Sequence, residues 1–134
     1  MKRKALLQAA RAAAEHAYAP YSHFRVGAAV VMETPKGEQL ATGANVENAS
    51  YGLTICAERV AVFKAISEGE RHFRRIAIVA DTEAPTPPCG PCRQILWEFC
   101  GDIEVILGNL KRETGRYRLK DLLPLPFDGR LLES

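Results

Sequence analysis

The sequence predicts a three-layer α/β/α sandwich built on a mixed five-stranded sheet. Three observations carry this. The chain contains apolar runs short enough for buried strands. Longer stretches with apolar residues at helical spacing lie between them. The two kinds alternate along most of the length. With 134 residues, the chain has the size of one domain, and residues 1–134 read as a single unit. A chain this long buries roughly two-thirds of its unfolded surface, so its core needs no disulfides.

Residues 2–19 read as the first helix, with Leu6, Ala10, Ala13 and Ala17 at helical spacing and Pro20 at the end. Its small residues let a neighbouring backbone approach closely. Residues 24–32 form a nearly continuous apolar run with Gly27 inside, as expected of a buried strand. Thr34-Pro35-Lys36-Gly37 is a turn, and 38–44 is the return strand. A polar loop, Asn45 to Thr54, leads to a helix over 55–68 that Gly69 stops. Residues 76–80 are a buried strand. The proline-rich stretch Pro85 to Pro91 opens a short helix ending near Gly101. Residues 103–107 form the next strand and 117–119 the last, followed by irregular chain over 122–127. Single helices separate 38–44, 76–80 and 103–107, which predicts a parallel portion with right-handed crossovers. The loops after 38–44 and 76–80 then share the carboxyl edge of the sheet, where open α/β sheets place their ligands.

Composition excludes several classes of function. The chain is 47% hydrophobic and 25% charged, unlike a disordered, collagen-like or disulfide-scaffold protein. Eighteen basic minus sixteen acidic residues gives +2, which argues against a protein built to neutralise nucleic-acid phosphates. No apolar run approaches the roughly 20 residues of a membrane span. The basic start Met1-Lys2-Arg3-Lys4 is no signal peptide, because Gln8, Arg11 and Glu15 interrupt the alanine-rich stretch after it. The chain is read as cytoplasmic. In a reducing compartment its four cysteines point to metal ligands, catalytic groups or core thiols.

Three of those cysteines fall in the two loops that share an edge. Cys56 starts one helix, and Cys89 and Cys92, in Pro88-Cys89-Gly90-Pro91-Cys92, open the next. Two residues between cysteines let both thiolates reach one metal ion. Two helix starts aimed at one place favour thiolates there. Cys100, at the far end of its short helix, reads as a small core residue. None of His16, His23 and His72 has ligand spacing to a cysteine. Three ligands with a fourth position open is the pattern of a catalytic zinc. Such a site needs a general acid/base that is not a ligand, and Glu58, two residues after Cys56, is the candidate. Arg59 lies close enough along the first turn to donate a hydrogen bond to a cysteine sulfur. Arg93, beside Cys92, is a second candidate for that role.

The set Cys56-Ala57-Glu58-Arg59, followed by Pro88-Cys89-Gly90-Pro91-Cys92-Arg93-Gln94, resembles the cytidine deaminase family. Pro20-Tyr21-Ser22-His23-Phe24-Arg25-Val26-Gly27-Ala28 and Asn45-Val46-Glu47-Asn48-Ala49-Ser50-Tyr51 are similar to its other signature blocks. The resemblance is to the small homotetrameric members and spans about Pro20 to Phe127. It implies a cytidine deaminase-like fold and one Zn²⁺ per subunit on Cys56, Cys89 and Cys92. Glu58 would shuttle protons while water replaces the amine of cytidine or deoxycytidine, giving uridine or deoxyuridine and ammonia. Asn45 and Glu47 would bind the sugar hydroxyls. Phe24 would pack on the pyrimidine, and the Thr54 carbonyl and amides near Cys56, such as that of Ala57, would contact the base. Tyr51 and Phe127 would reach the pocket of a neighbouring subunit of a homotetramer. The implied partner is a nucleoside, with no nucleic acid or membrane. Two other readings use the same residues: a deaminase of a related aminopyrimidine nucleoside such as blasticidin S, and a zinc-stabilised structural module.

Overall fold

Residues 26–34 are apolar on both faces because both faces are covered. In the computed structural model, which describes residues 1–132, this segment is β1 (Val26–Thr34), the second strand of the sheet. Ala28, Val30 and Met32 enter one core cluster and Ala29 and Val31 the other. Its successive side chains point to opposite faces, so a continuous apolar run is what two-sided burial requires.

The remaining elements follow in chain order: α1 (Arg3–Ala14) before β1, then β2 (Gly37–Ala44), α2 (Ala57–Ser67), β3 (Phe73–Ala80), α3 (Gly90–Cys100), β4 (Glu104–Gly108), β5 (Glu113–Arg118) and the single turn α4 (Leu119–Leu122). A 3₁₀ turn spans Gly129–Leu132. The strand order is β2-β1-β3-β4-β5, with β3 and β4 parallel and the other neighbours antiparallel. Helix α1 covers one face, through Leu6, Leu7 and Ala10 against Ala77, Val79 and Ile106. Helices α2 and α3 cover the other, through Ala61, Val62 and Leu96 against Ile76, Ile78, Val105 and Leu107. This is the expected three-layer sandwich on a mixed five-stranded sheet.

Three details differ from expectation. The last strand is Glu113–Arg118 rather than 117–119, because Leu119 already opens α4. The strand at 38–44 runs in the same direction as 76–80 but is not its neighbour. β1 lies between them, antiparallel to both. The carboxyl ends of β2 and β3 still meet at one edge, as the crossovers require. The first helix stops at Ala14 rather than 19. Beyond it Tyr18 is extended and pairs with the loop after β2, donating from its nitrogen to the Asn45 carbonyl (2.9 Å) and accepting from Glu47 N (2.9 Å). Ala17 therefore does not extend the helical face.

Two glycines set the spacing of the layers. A Cβ on Gly27 would lie 2.0 Å from the Ala10 carbonyl oxygen of α1. A Cβ on Gly43 would lie 2.5 Å from the Ala61 nitrogen of α2. Each helix backbone thus rests on a strand where no side chain intervenes. Cys100 closes α3 against the core, and burial pushes its thiol up to about 12. A thiol of that kind is inert near neutral pH. With a chelator present, an alkylating reagent at pH 8 is therefore expected to modify exposed Cys89 well before Cys100. Mass spectrometry of the digested protein reads the order.

Candidate active site

The carboxyl edge of the sheet carries a cavity of about 300 Å³. Its floor is made where α2 and α3 begin. Cys56 is the N-cap of α2 and Cys89 the N-cap of α3, both with extended backbone (φ −71°, ψ 155° and φ −66°, ψ 168°). Neither side chain caps its own helix. The thiols are left to point at each other, with Cys56 Sγ 3.7 Å from Cys89 Sγ. Pro91 sits in the first turn of α3, where its missing N–H leaves no helical bond unmade. That turn brings Cys92 Sγ to 3.2 Å from Cys89 Sγ. The three sulfurs all lie within 4.8 Å of one another. Tetrahedral zinc–thiolate bonds of about 2.3 Å place sulfurs about 3.8 Å apart, so the cluster fits zinc.

Charge is arranged around these sulfurs. Arg59, on the first turn of α2, donates from Nη2 to Cys56 Sγ (3.6 Å) and to the Thr54 carbonyl (3.4 Å). The Cys56 thiol falls to about 5, chiefly through a hydrogen bond from Cys92 and then through Arg59. The Cys92 thiol moves up, first through its interaction with Cys56 and then through burial. Arg93 does not serve a sulfur. Its Nε donates to the Pro88 carbonyl and its Nη1 to the Leu122 carbonyl, both at 2.7 Å, because its side chain folds back behind the turn.

Glu58 is the one charged side chain buried among the described residues, with 4% of its surface exposed. Burial, then the negative charge of Cys56, pushes its carboxyl up. A carboxyl held above its ordinary range at a cavity wall is suited to accept a proton and pass it on.

The opposite wall is polar. Glu47 is held by the loop before β1: its Oε1 accepts from Tyr21 N (3.0 Å) and Ser22 N (3.1 Å), and its Oε2 from the Ser22 hydroxyl. These bonds, the Ser22 hydroxyl first, hold the Glu47 carboxyl below the usual range. Asn45 is buried and joins β1 to this wall. Its Oδ1 accepts from Val26 N (2.9 Å) and its Nδ2 donates to the Phe24 carbonyl (2.8 Å). Phe24, Thr54 and Ala57 also line the cavity.

The structure thus brings together Phe24, Asn45, Glu47, Thr54, Ala57 and Glu58 around the three thiols. It leaves out Tyr51 and Phe127, which do not line this cavity and are well exposed. Tyr51, in a left-handed conformation (φ 54°), rests edge-on against Tyr21 with ring centres 6.0 Å apart. Sequence reasoning missed the part of Ser22, although it lies inside the Pro20–Ala28 block. It also missed Ile78, Thr86 and Pro87, which complete the apolar wall.

Three thiols and a buried carboxyl at the floor of an open cavity define a metal-binding α/β protein. Comparison with known proteins narrows the class. Residues 1–109 match the family described as the cytidine and deoxycytidylate deaminase zinc-binding region. The chain belongs to that family, and zinc is the metal its thiols are placed to hold. The cytidine deaminase of Halalkalibacterium halodurans is 52% identical over 95% of both chains. The crystal structure of cytidine deaminase from Burkholderia pseudomallei superposes with a TM-score of 0.89 at 48% identity, over 95% of this chain and 100% of that one. The blasticidin-S deaminase of Bacillus cereus is more distant, 28% identical over 76% of both chains.

Proposed function

We propose that the protein is a zinc-dependent cytidine deaminase that hydrolyses cytidine and deoxycytidine to uridine and deoxyuridine, with release of ammonia. The observation that carries this is the buried Glu58 carboxyl beside three convergent thiols. Zinc held by Cys56, Cys89 and Cys92 would activate a water molecule for attack near neutral pH. Glu58 takes a proton from the water that attacks C4 and delivers it to ring N3. It then takes the remaining proton from the added C4 hydroxyl and passes it to the amine, so that ammonia leaves as the C4–N bond breaks and the C4 carbonyl forms. Phe24 packs on the pyrimidine, and the Thr54 carbonyl and the Ala57 amide contact the base.

The sugar end is read from hydrogen-bond accounting. Glu47 already accepts three bonds out of about four that a carboxylate can take. Asn45 keeps one N–H and one lone pair beyond its two side-chain bonds, to Val26 N and the Phe24 carbonyl. One sugar hydroxyl between them can accept from Asn45 and donate to Glu47.

The chain works as one domain in this reading, with both core clusters on the two faces of one sheet. It acts as a homotetramer in the cytoplasm, in pyrimidine salvage. Tyr51 and Phe127 complete the site of a neighbouring subunit. Exposed Leu53, Leu125 and Phe127 support an assembled form, and light scattering on the purified protein measures its mass. The decisive assay tracks the ultraviolet absorbance of cytidine, with metal content measured on the same sample. Loss of absorbance with one zinc per chain is expected. A zinc-loaded protein inert on both nucleosides overturns the proposal.

Arg59 tunes this chemistry. Three thiolates and Zn²⁺ sum to −1, and Arg59 draws charge from the Cys56 sulfur it touches. Arg59→Gln is expected to retain zinc and to shift the acidic limb of the kcat/KM profile to higher pH. An unmoved limb at full zinc content would contradict the assignment.

A further inference from the structure

We propose that Arg93 is a positioning residue that couples the C-terminal segment of the chain to the metal-binding turn. Through it, the seating of that segment governs how firmly Cys89 and Cys92 hold their ligand. The proposal rests on the reading of Cys56, Cys89 and Cys92 as zinc ligands.

Two carbonyls near the thiols lie where no helix can satisfy them. The first backbone bond of α3 runs from Arg93 N to the Cys89 carbonyl (2.9 Å), so the Pro88 carbonyl lies one residue outside the helical ladder. Pro88 is fully buried. The Leu122 carbonyl ends the single turn of α4, where the last carbonyls have no intrahelical partner. Arg93 donates to both at 2.7 Å. One planar guanidinium therefore joins the residue that enters the Cys89–Cys92 turn to the residue at which the terminal segment leaves α4. Being planar and forked, it fixes direction as well as distance.

Two more contacts run from the same helix to the same segment. Gln94 donates to the Phe127 carbonyl, and Trp97 Nε1 donates to Asp128 Oδ2 (3.2 Å). Arg130 grips Asp128 in turn, with its Nη2 at 2.8 Å from Oδ2. The segment is thus strapped along α3 at three successive points, and the point nearest the thiols is the one that also holds their turn. Arg59, on the other helix, donates to Cys56 Sγ and holds the first ligand rather than the turn that carries the other two.

The test measures zinc release to a chromophoric chelator from the zinc-loaded protein, with Arg93→Met, Arg93→Lys and Asp128→Asn beside the wild type. Removing an outer-shell partner costs about 10–100-fold in metal affinity. Arg93→Met is expected to release zinc at least about 10-fold faster, in that range. Lysine can reach one carbonyl and is expected to restore part of the difference. Asp128→Asn touches no part of the turn and nearly keeps the shape of a side chain that lies part-buried against Trp97 and Arg130. It is expected to speed release several-fold, by loosening the strap at Trp97. In the cobalt-substituted protein, the thiolate-to-metal charge-transfer bands are expected to shift in Arg93→Met and to move back in Arg93→Lys. Wild-type release and spectrum in Arg93→Met, with only a lowered melting temperature, would make Arg93 a fold residue and overturn the proposal. Should Arg93→Met fail to fold, Arg93→Lys and Asp128→Asn decide alone. Normal release in Asp128→Asn would overturn the coupling to the strap. A wild type that binds no zinc would instead defeat the ligand assignment itself.

Discussion

Replacing Glu58 by glutamine is expected to leave the protein folded and zinc-loaded but nearly inactive. Glutamine has almost the shape of glutamate, so the packing of a side chain with 4% exposure survives. The change also removes an acid whose pKa burial has raised, so the buried site is not left with an unpaired charge. What disappears is the proton carrier. General acid–base groups contribute about 10²–10⁴-fold, and in the proposed mechanism Glu58 serves at the attack, at ring protonation and at amine departure. The loss is therefore expected at the upper end of that range or beyond. Measurement of kcat with zinc content and a melting curve on the same sample checks all three parts. Near-normal turnover, or loss of the metal, contradicts the assignment.

The second large effect concerns the sugar wall, where two neighbouring substitutions are expected to behave differently. Glu47→Ala removes a surface carboxylate whose partners are Tyr21 N, Ser22 N and the Ser22 hydroxyl, all of which water can reach. Its effect is expected on kcat/KM for cytidine, with little change for free cytosine and little loss of stability. Asn45→Ala removes the sugar contact proposed for that residue but also strips Val26 N and the Phe24 carbonyl of their partners. Unpaired groups of that kind cost about 1–3 kcal/mol each when buried. Asn45→Ala is therefore expected to lower both activity and melting temperature. Equal losses on nucleoside and base in Glu47→Ala would remove the sugar-binding role.

Much of this is legible in the sequence because the chemistry is local. Cys-x-Glu and Cys-x-x-Cys place their groups within one helical turn, so spacing alone brings Cys89 to Cys92 and Glu58 near Cys56. The shared sheet edge then comes from strand direction, which single-helix crossovers determine. Strand adjacency does not, because a hairpin can lie on either side of its first strand. β2 packs outside β1, and nothing local to either strand encodes that. The end of α1 is hidden for a similar reason. Ala17 continues the small-residue pattern, but Tyr18 is drawn away by backbone pairing with residues 45–47. Asn45 and Arg93 show the limit most clearly. Each has functional groups that can serve either a ligand or the backbone, and only the folded chain reveals that both hold carbonyls.

The two N-cap cysteines lie 33 residues apart along the chain. Any ion shared between them is a cross-link, and the stretch it encloses contains α2 and β3, the elements that build the middle of the sandwich. Tying the ends of such a stretch narrows the unfolded ensemble. For a loop of that size the chain-entropy treatment gives on the order of 4 kcal/mol. Zinc would then serve as a clasp for the fold as well as a reagent for its chemistry. Stripping it with a chelator is expected to lower the melting temperature by about 10 °C or more. Catalytic competence and conformational durability would in that case rise and fall together with metal supply.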